Sequence, residues 1–447
     1  MKVPILLPNI FNYPFTYQSD LNLKVGEYVI VPFGKTKMIG VVWNHFEKKN
    51  EKNFQIKKII KRLKIIPLNE NTIKFLNWFS QYNLIPKGMS LKLHLLSNEA
   101  VEEIPDKEFE SYRLVKKKND FKLSKEQEKS LYEIKIKNKE FRVHVLQGTT
   151  GSGKTIVYFN SIKDKIDKGY QGLILLPEIG LTSEFEKKFI DFFGFIPAIW
   201  HSGITKKKKK IIWNGLTNGK IKVVIGARSA LFLPFNKLGI IIVDEEHDQS
   251  YKQDEGVIYN ARDMAISRAS FENIPIDLVS AVPSIETYEN IKKRKYSYSR
   301  IFNRYKNAQL PKHEIIDLNK YKLNNQSWIS SKTIEKAKNH LDNGDQVLFF
   351  INRRGFSPYV FCQNCLKVYS CPHCSINLVY HKNKKKLLCH YCGFTTSLKR
   401  TCDRNISGSC KFILSGPGVE KIFEEVKNFF PNYQTLIFSS DTMNKKK

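Results

Sequence analysis

The segment 148–155, with the sequence GTTGSGKT, limits the possible folds of this chain more than any other feature. It fits the phosphate-binding pattern G-x-x-x-x-G-K-[ST] in full. A short apolar run precedes it, and a helical pattern starts at Thr155. Strand-length apolar runs lie at 143–146, 173–176, 223–225, 240–243 and 277–280, separated by longer helical stretches. This alternation predicts an α/β fold with a parallel sheet and crossover helices.

The phosphate-binding segment supplies most of a predicted nucleotide site. Gly148, Gly151 and Gly153 would let the backbone turn tightly and direct its N–H groups at phosphate oxygens. Lys154 would reach the β- and γ-phosphates, and the Thr155 hydroxyl would hold Mg²⁺. The following helix would add its positive N-terminal end. A glycine-rich turn that only resembles the motif is the alternative, and the flanking strand and helix argue against it.

An acidic segment, DEEH at 244–247, directly follows the apolar run 240–243. A carboxylate at the carboxyl end of a parallel strand stands where a Mg²⁺ ligand belongs, so Asp244 is predicted to bind this ion. Glu245 would orient and deprotonate the attacking water. A strand end that is acidic by chance is the alternative. Together with Lys154, these residues predict hydrolysis of a nucleoside triphosphate, but not what the hydrolysis drives.

All eight cysteines lie between residues 362 and 410, which argues for metal binding rather than disulfides. Three C-x-x-C pairs and a wider fourth pair give enough thiolates for two four-cysteine zinc sites. An iron–sulfur cluster is the chemical alternative, and spacing alone leaves it open. The candidate ligands are Cys362, Cys365, Cys371, Cys374, Cys389, Cys392, Cys402 and Cys410.

The net charge is strongly positive, because 74 Lys and Arg residues outnumber 43 Asp and Glu residues to give +31. Such an excess favours a polyanionic partner, with nucleic acid as the first candidate. The alternative is a compositional bias toward Lys, Asn, Ile, Phe and Tyr, which spreads charge without forming a binding face. No apolar run is long enough for a membrane span and no secretory signal is recognisable, so we expect a cytoplasmic protein that does not bind membranes.

The segments outside the α/β pattern carry weaker signals. Residues 1–97 are predicted to form a small β-rich region, with strands within 25–34 and 38–43 and a helix at 72–82. Residues 98–121 are charged, lack a periodic pattern and are predicted to form a linker. Nearer the C-terminus, the patterns predict helices at 331–341 and 419–430 and strands at 347–351 and 435–438.

Taken in order, these motifs resemble those of the primosomal protein N′ (PriA) family, the replication-restart helicases of superfamily 2. The resemblance rests on GTTGSGKT, on DEEH, and on NRRGFSP at 352–358 directly before the cysteines. Further matching blocks are LPEIGLT at 176–182, HSG at 201–203, GARSALF at 226–232, SYK at 250–252, YNARD at 259–263 and LCHYCG at 388–393.

The resemblance implies an α/β architecture with a small β-rich N-terminal DNA-binding domain and a first RecA-like helicase lobe. An incomplete second RecA-like lobe would follow, with an inserted zinc module that holds two four-cysteine sites. The implied boundaries are 1–97 for the 3′-end-binding domain, 98–121 for the linker, 122–300 for the first lobe, 301–359 and 413–447 for the second, and 360–412 for the zinc module. The family's winged-helix domain does not fit within the linker and is expected to be absent.

The resemblance also implies a function, that of a DNA-stimulated ATPase and ATP-dependent DNA helicase of replication restart. Such a protein would bind forked or single-stranded DNA, unwind the lagging strand at stalled forks and help to assemble the primosome. Its cofactors would be ATP, Mg²⁺ and two Zn²⁺ ions. Other primosome proteins and single-stranded-DNA-binding protein are the implied partners.

The same resemblance gives several residues expected roles. Gln127 would read the adenine, while Arg228, His247 and Ser280 would couple the nucleotide state to DNA. Phe11 and Asn12 would hold the 3′ end of the leading strand. The cysteines would form one zinc site from Cys362, Cys365, Cys402 and Cys410, and another from Cys371, Cys374, Cys389 and Cys392.

Besides the missing winged-helix domain, three further departures from the family pattern qualify these implications. Asn12 stands where the family often has Asp, which is expected to weaken rather than abolish 3′-end binding. Val282 replaces the Thr of a Ser-Ala-Thr-Pro block and so removes a hydroxyl from a coupling motif. The sequence ends at Lys447, before the late motifs with their arginine finger. We therefore expect nucleotide binding with poor hydrolysis unless a complementing helicase fragment supplies the rest.

Two other functional classes compete with this interpretation. The chain could be a non-enzymatic, zinc-containing remnant that binds forked DNA, or one half of a split helicase. These alternatives share every motif with the helicase. A superfamily 2 RNA helicase is the other class, and eight cysteines after the NRRGFSP block argue against it.

Overall fold

The computed structural model describes residues 1–44, 56–95, 104–113, 121–136, 140–177, 183–305, 308–309, 311–324, 327–352, 359–362, 367–382, 385–398 and 412–438. The chain divides into two compact units, Met1–Leu310 and Pro311–Lys447. Within the described ranges, no helix is both long enough and apolar enough to cross a membrane.

Over residues 1–44 and 56–95, the first unit has five antiparallel strands and two helices, which are β1 (Lys2–Leu6), β2 (Phe15–Gln18), β3 (Tyr28–Phe33), β4 (Thr36–Val42), β5 (Lys61–Arg62), α1 (Glu70–Tyr82) and α2 (Lys87–His94). The strand order is β2-β1-β4-β3-β5. Gly34, with a φ of 58°, lies in the tight turn between β3 and β4. Asn69 caps α1, because its side chain accepts a hydrogen bond from the N–H of Thr72. The predicted β-rich region is confirmed.

An α/β domain follows in the same unit. Its strands are β6 (Arg142–Gly148), β7 (Gln171–Leu175), β8 (Ala198–Trp200), β9 (Val223–Gly226), β10 (Leu238–Asp244), β11 (Lys252–Gln253), β12 (Tyr259–Asn260), β13 (Pro275–Ser280) and β14 (Ser297–Ile301). Its helices are α3 (Lys125–Ile136), α4 (Lys154–Asp167), α5 (Ser183–Phe193), α6 (Lys206–Thr217), α7 (Ala261–Glu272) and α8 (Ile285–Lys292).

Seven of these strands form one sheet, in the order β14-β6-β13-β10-β7-β9-β8, and every neighbouring pair is parallel. Every residue of β10 and β13 is buried, as expected for central strands covered by helices on both faces. The predicted α/β fold with a parallel sheet is therefore confirmed. Only β13 separates β6 from β10, so the carboxyl ends of these two strands lie close together.

Part of the segment predicted to be a linker has regular structure. Asp106–Tyr112 form a 3₁₀ helix in which the side chains of Phe109 and Tyr112 are buried. Phe109 packs tightly against Gly215 of α6, where a Cβ atom would lie 2.7 Å from the Phe109 ring. The segment is thus attached to the α/β domain by an aromatic side chain that the sequence pattern did not single out.

The N-terminal sheet and the α/β domain share one hydrophobic core. His94, at the end of α2, is buried between them, with Nε2 2.9 Å from the Tyr28 hydroxyl and Nδ1 2.9 Å from the Phe232 carbonyl oxygen. The Trp213 indole donates a hydrogen bond to the His94 carbonyl. Burial lowers the pKa of His94 to about 4, so its ring is neutral in this interface.

In the described part of the second unit there are short strands and two helices, which are α9 (Ser331–Asp342), β15 (Tyr359–Cys362), β16 (Val379–His381), β17 (Lys386–Leu388), β18 (Thr395–Ser397), β19 (Phe412–Ser415) and α10 (Val419–Phe429). The pairs are all antiparallel: β15 with β19, and β17 with both β16 and β18. The helices α9 and α10 pack through a small core that contains Ala337, Val426 and Phe430.

Two predicted strands in this unit are wrong. Residues 347–351 and 435–438 have no strand assignment, although both runs show alternating burial. Val347 and Phe349 pack against the helical core, whereas Leu348 and Phe350 are 79% and 84% exposed. An apolar run becomes a strand only when another strand completes its backbone ladder, and no such ladder includes these runs within the described residues.

Candidate nucleotide site and cysteine centre

The predicted phosphate-binding loop lies between the carboxyl end of β6 and the amino end of α4. Gly151 and Gly153 have φ values of 82° and 79°, a left-handed conformation that favours glycine. Gly153 is also the N-cap of α4, which begins at Lys154. The side chain of Lys154 is buried, and its Nζ donates a 2.8 Å hydrogen bond to the Gly148 carbonyl. The loop therefore has the conformation that its glycine pattern predicts.

Asp244 is the last residue of β10 and contacts α4. Its Oδ2 accepts a 2.8 Å hydrogen bond from the Tyr158 hydroxyl, and its Oδ1 accepts one from the Glu245 N–H at 3.0 Å. Burial raises the pKa of the Asp244 carboxyl to about 6, although the Tyr158 hydrogen bond and the Lys154 charge oppose this shift. Tyr158 follows Thr155 in α4. One helix thus carries both the phenol that contacts Asp244 and the hydroxyl that is predicted to bind Mg²⁺.

Glu245 and His247 are the more exposed members of the acidic segment. Glu245 has a φ of 46°, which is unusual for a residue with a side chain and marks a sharp turn after β10. The His247 Nδ1 lies 2.8 Å from the Ser280 hydroxyl oxygen and 3.7 Å from Glu245 Oε2. The structure thus brings together His247 and Ser280, two expected coupling residues at the ends of neighbouring strands.

The Ser280 hydroxyl oxygen also accepts a 3.0 Å hydrogen bond from the backbone N–H of Val282. This contact uses the main chain, so it is independent of the side chain at position 282. The Val282 side chain is exposed. The replacement of Thr by Val therefore leaves the local hydrogen bonding of Ser280 in place.

Glu246, which the sequence reasoning did not single out, is the buried centre of a hydrogen-bond network. Its carboxylate accepts from the Ser284 N–H at 2.7 Å, from the Thr287 hydroxyl at 3.0 Å and from Arg262 Nη1 at 3.1 Å. Ser284 is the N-cap of α8. This network fixes the acidic segment to α7 and α8. In the sequence, the one clue to the role of Glu246 was its partner Arg262, which lies within the YNARD block.

Tyr251 forms a second anchor. Its buried hydroxyl lies 2.9 Å from the carbonyl oxygen of Leu175 and also contacts that of Asp244. Arg228 lies in a 3₁₀ helix, Arg228–Phe232, and its Nη1 donates a 2.7 Å hydrogen bond to the Lys252 carbonyl. The SYK block therefore connects Arg228 to the strand that carries Asp244.

Gln127 is buried against the phosphate-binding loop. Its Nε2 donates a 2.8 Å hydrogen bond to the Ser152 carbonyl, and its Oε1 accepts one from the Ser124 N–H at 2.9 Å. A Cβ atom at Gly153 would lie 2.3 Å from the Gln127 amide nitrogen. Gln127 therefore connects α3 to the loop and stabilises the loop's conformation.

The expected DNA-end residues lie beside the amino end of α2. The Asn12 Oδ1 accepts a 3.1 Å hydrogen bond from the Lys87 N–H, and the Phe11 carbonyl accepts one from the Gly88 N–H at 3.0 Å. The Phe11 ring packs with three other aromatic rings to form one aromatic cluster, which consists of Phe11, Tyr13, Phe15 and Phe33. Asn12 therefore lies directly next to a surface of aromatic rings.

Four of the eight cysteines form a cluster with the geometry of a metal site. The sulfur atoms of Cys371, Cys374, Cys389 and Cys392 all lie within 4.8 Å of one another. Three of the S···S distances are 3.4, 3.5 and 3.8 Å. Tetrahedral zinc with Zn–S bonds of about 2.3 Å requires S···S distances of about 3.8 Å, so the four thiolates suit zinc.

The two halves of the cluster have matching backbone turns. In each half, the residue that follows the second cysteine donates its N–H to the carbonyl of the first cysteine. Ser375 donates to Cys371 at 2.9 Å, and Gly393 donates to Cys389 at 3.0 Å. Both donors have positive φ, 56° and 77° respectively. The tight turns that the C-x-x-C spacing predicts are therefore present in both halves.

The structure gives less information on the other four cysteines and on the nearby histidines. Cys362 is buried in β15, whereas Cys365, Cys402 and Cys410 lie outside the described residues. His390 Nε2 lies 2.9 Å from His381 Nε2, so this ring contacts another histidine. Only the second of the two predicted zinc sites can therefore be described.

Comparison with known proteins gives matches along most of the chain. Residues 2–95 match the family described as PriA 3′DNA-binding domain, residues 124–291 match the DEAD/DEAH box helicase family, and residues 371–396 match the PriA DNA helicase Cys-rich region domain. These three regions carry the aromatic cluster, the nucleotide site and the four-cysteine centre, respectively.

Two curated relatives and one solved structure illustrate the similarity. The chain is 42% identical to the replication restart protein PriA of Rickettsia conorii, over 98% of this chain and 66% of that protein. It is 31% identical to the same-named protein of Haemophilus influenzae, over 100% of this chain and 70% of that protein. The chain thus spans about two thirds of their length. The structure of RecG bound to a three-way DNA junction is 21% identical, with a TM-score of 0.34 over 50% of this chain and 28% of that one.

Proposed function

Because this chain belongs to the family of the replication restart protein PriA, we propose that it is an ATP-dependent DNA helicase that acts at stalled replication forks. It would bind forked or single-stranded DNA and couple ATP hydrolysis to unwinding. The observation that carries the proposal is the arrangement of Lys154 and Asp244 at the carboxyl ends of β6 and β10, on either side of β13. This edge of a parallel sheet is where such folds bind nucleotides.

In the proposed site, the loop glycines Gly148, Gly151 and Gly153 bring backbone N–H groups to the phosphates. Lys154 exchanges its hydrogen bond to the Gly148 carbonyl for one to a phosphate oxygen. Thr155 and Asp244 would hold Mg²⁺, which supplies charge neutralisation of the phosphates. The donor set fits this ion, because it offers a hydroxyl and a carboxylate oxygen, the ligand types that Mg²⁺ prefers.

Glu245 is the proposed base that orients and deprotonates the attacking water. Its side chain is 42% exposed, so water reaches it, and its turn is fixed by the buried neighbours Asp244 and Glu246. Gln127 would recognise the adenine with the hydrogen-bonding groups of its side-chain amide that do not contact the loop. One Nε2 hydrogen and one Oε1 lone pair remain after the bonds to Ser152 and Ser124.

The coupling role is assigned to the contact between His247 and Ser280, with Arg228 as a third element. Nucleotide-dependent movement of Glu245 would reach Ser280 through His247, because His247 Nδ1 lies 3.7 Å from Glu245 Oε2 and 2.8 Å from the Ser280 hydroxyl. Arg228 would act through the SYK block, whose Tyr251 hydroxyl contacts the Asp244 carbonyl.

Phe11 and Asn12 are proposed to hold a DNA 3′ end. The Phe11 ring offers a face for base stacking. The Asn12 Oδ1 accepts one hydrogen bond from the Lys87 N–H, so one Oδ1 lone pair and the Nδ2 hydrogens remain for the 3′-hydroxyl. An aspartate at this position would offer only acceptors, whereas Asn12 can also donate a hydrogen bond to the 3′-hydroxyl oxygen.

Zinc is the metal that the Cys-rich region and the four-cysteine cluster indicate, and its role would be structural. We further propose a second zinc ion, held by Cys362, Cys365, Cys402 and Cys410. Other primosome proteins, single-stranded-DNA-binding protein and a complementing helicase fragment are proposed as partners, and the cytoplasm as the location.

The proposal is tested by ATP binding and hydrolysis of the zinc-loaded chain, with and without forked DNA. We expect slow turnover that forked DNA stimulates and that Glu245→Gln reduces by about 10²-fold or more while ATP binding is retained. Lys154→Ala should lose ATP binding itself. Fork binding without any stimulated turnover would contradict helicase activity of this chain alone, and would support the non-enzymatic DNA-binding remnant or one half of a split helicase.

A further inference from the structure

A four-residue strap, residues 302–305, follows β14 and passes beside the phosphate-binding loop. Glu126 of α3 holds its first half. The Glu126 carboxylate accepts hydrogen bonds from the Phe302 N–H at 3.1 Å, from the Asn303 N–H at 3.0 Å and from Asn303 Nδ2 at 2.8 Å. Three hydrogen bonds to one carboxylate give the strap a defined position next to Gln127, which braces the same loop.

The second half of the strap contacts the loop directly. The Tyr305 N–H donates a 2.9 Å hydrogen bond to the Gly151 carbonyl. The Arg304 side chain passes Gly151 so closely that its Cγ, Cδ and Nε would each lie 3.9 Å from a Cβ atom at that glycine. The strap therefore places an arginine against the middle of the loop that is proposed to hold the phosphates.

The Arg304 guanidinium is only partly satisfied. Its Nη1 donates a 3.2 Å hydrogen bond to the Gln309 carbonyl. Its Nε is buried and has no hydrogen-bond partner among the described residues. A buried charged donor without an acceptor is costly, and arginine is suited to phosphate recognition by its fixed set of N–H groups. An anion in the loop would supply the missing acceptor.

We infer that Arg304 is a phosphate-binding residue of this site, whose Nε–H donates to a phosphate oxygen of the bound nucleotide. The inference rests on the proposed binding of a nucleoside triphosphate at the loop and Lys154. It assigns the ligand a second cationic contact, which comes from a different part of the chain than Lys154. Nucleotide binding would then hold α3, the loop and the strap together.

Binding of two probes to the full chain tests this inference by calorimetry. ATP carries both base and phosphates, whereas inorganic tripolyphosphate carries phosphates alone. We expect Arg304→Gln to weaken both probes by roughly tenfold to hundredfold, because a charged hydrogen bond is lost. Arg304→Lys should restore only part of the affinity, since it keeps the charge without the Nε–H.

Arg300→Gln is the matched control. Arg300 precedes the strap on β14, and its guanidinium lies 4.6 Å from the centroid of the Phe302 ring. This variant removes the same charge, and both probes should bind to it as they bind to the original chain. Thermal melting of each variant separates lost binding from lost folding, and Arg304→Lys keeps the test usable if Arg304→Gln is destabilised.

Three results would overturn the inference. Unchanged binding of both probes to Arg304→Gln would show that the guanidinium does not contact the ligand. Weaker binding of ATP with unchanged binding of tripolyphosphate would assign Arg304 to the base instead. If the original chain binds neither probe, the proposed nucleotide site fails together with the inference, an outcome that is distinct from a defect confined to the Arg304 variants.

Discussion

The phosphate-binding loop and the four-cysteine centre are both built from tight turns, but different forces hold them in place. The loop is anchored by a seven-stranded sheet in which β10 and β13 are completely buried. The cysteine centre lies among strands of three or four residues, and its small core contains the buried side chains of Val360, Leu378 and Leu387. The first site is shaped by its fold, whereas the second needs its ligand to complete a core.

Removal of the metal should cause the largest loss of folded structure, and this loss should be confined to the cysteine centre. Binding of structural zinc contributes free energy on the order of 10 kcal/mol, and this small region has little other core to replace it. After chelation, amide hydrogens in residues 367–382 and 385–398 should lose their protection from exchange, while those of β6 and β10 keep it. Hydrogen exchange with mass spectrometry of the full chain measures both regions at once.

Cys389→Ser should reproduce the effect of chelation, because it removes one of the four sulfur ligands. Ser397→Ala, at the exposed end of β18, is the control and should retain both the metal and the protection. If the region stays protected after its metal content has fallen to zero, the contrast between the two sites is mistaken.

The substitution Glu246→Ala is expected to lower the free energy of unfolding of the first unit, by less than metal removal destabilises the cysteine centre. This change leaves the largely buried Arg262 guanidinium without one of its carboxylate partners and removes the acceptor of Ser284 and Thr287. Breaking a buried ion pair in this way costs about 3–5 kcal/mol. Urea unfolding followed by tryptophan fluorescence measures it, and the zinc content should not change.

Glu255→Ala provides the matched control for this measurement. Glu255 is exposed, and its removal should change the free energy of unfolding by less than about 0.5 kcal/mol. A similarly small change in Glu246→Ala would mean that the acidic segment is held by the sheet alone, without the network to α7 and α8.

The difference between the two regions also explains what could be predicted from the sequence. The loop and Asp244 follow from local spacing and from the rule that parallel strands end at one edge of a sheet. The C-x-x-C spacing predicts metal binding, and the resemblance to the PriA family implies which four cysteines share a site. Tyr158, Glu246 and Arg304 could not be found in this way, because their contacts join residues that are distant in sequence. The role of each residue becomes recognisable only when the order of the strands in the sheet shows which residues it contacts.

The wrong predictions have a related cause. Residues 347–351 and 435–438 have the apolar alternation of strands, yet a strand also requires a neighbour that pairs with its backbone. The 3₁₀ helix at Asp106–Tyr112 is the opposite case, because its short, charged sequence lacks periodicity and buried aromatic side chains hold it. Pattern alone is therefore most reliable where a segment carries its own hydrogen bonds or ligands.

The smallest predicted effect concerns acid stability of the first unit. His144 lies in β6 with Nδ1 2.9 Å from the Ser297 hydroxyl and Nε2 2.8 Å from the Ser299 hydroxyl. Burial, assisted by the Arg142 charge, lowers the pKa of His144 to about 3. The unfolded chain binds a proton near pH 6.5, whereas the folded chain does not, so this contribution to stability is present above about pH 6.5 and is lost as pH falls toward 3.

Comparison of the original chain with His144→Gln isolates this contribution. The free energy of unfolding of the original chain, relative to that of the variant, should fall by about 2 kcal/mol between about pH 7 and pH 5, because glutamine does not titrate. Asp244 and Asp277, whose pKa values burial raises to about 6 and about 7, give the opposite slope, but both proteins carry them. Urea unfolding at each pH provides the measurement, and the two curves should run parallel where the imidazole of the unfolded chain is neutral. If the two unfolding curves also run parallel down to about pH 5, the His144 imidazole takes up a proton in the folded chain as readily as in the unfolded chain. The sheet that carries the phosphate-binding loop would then be more accessible to protons than the burial of His144 indicates.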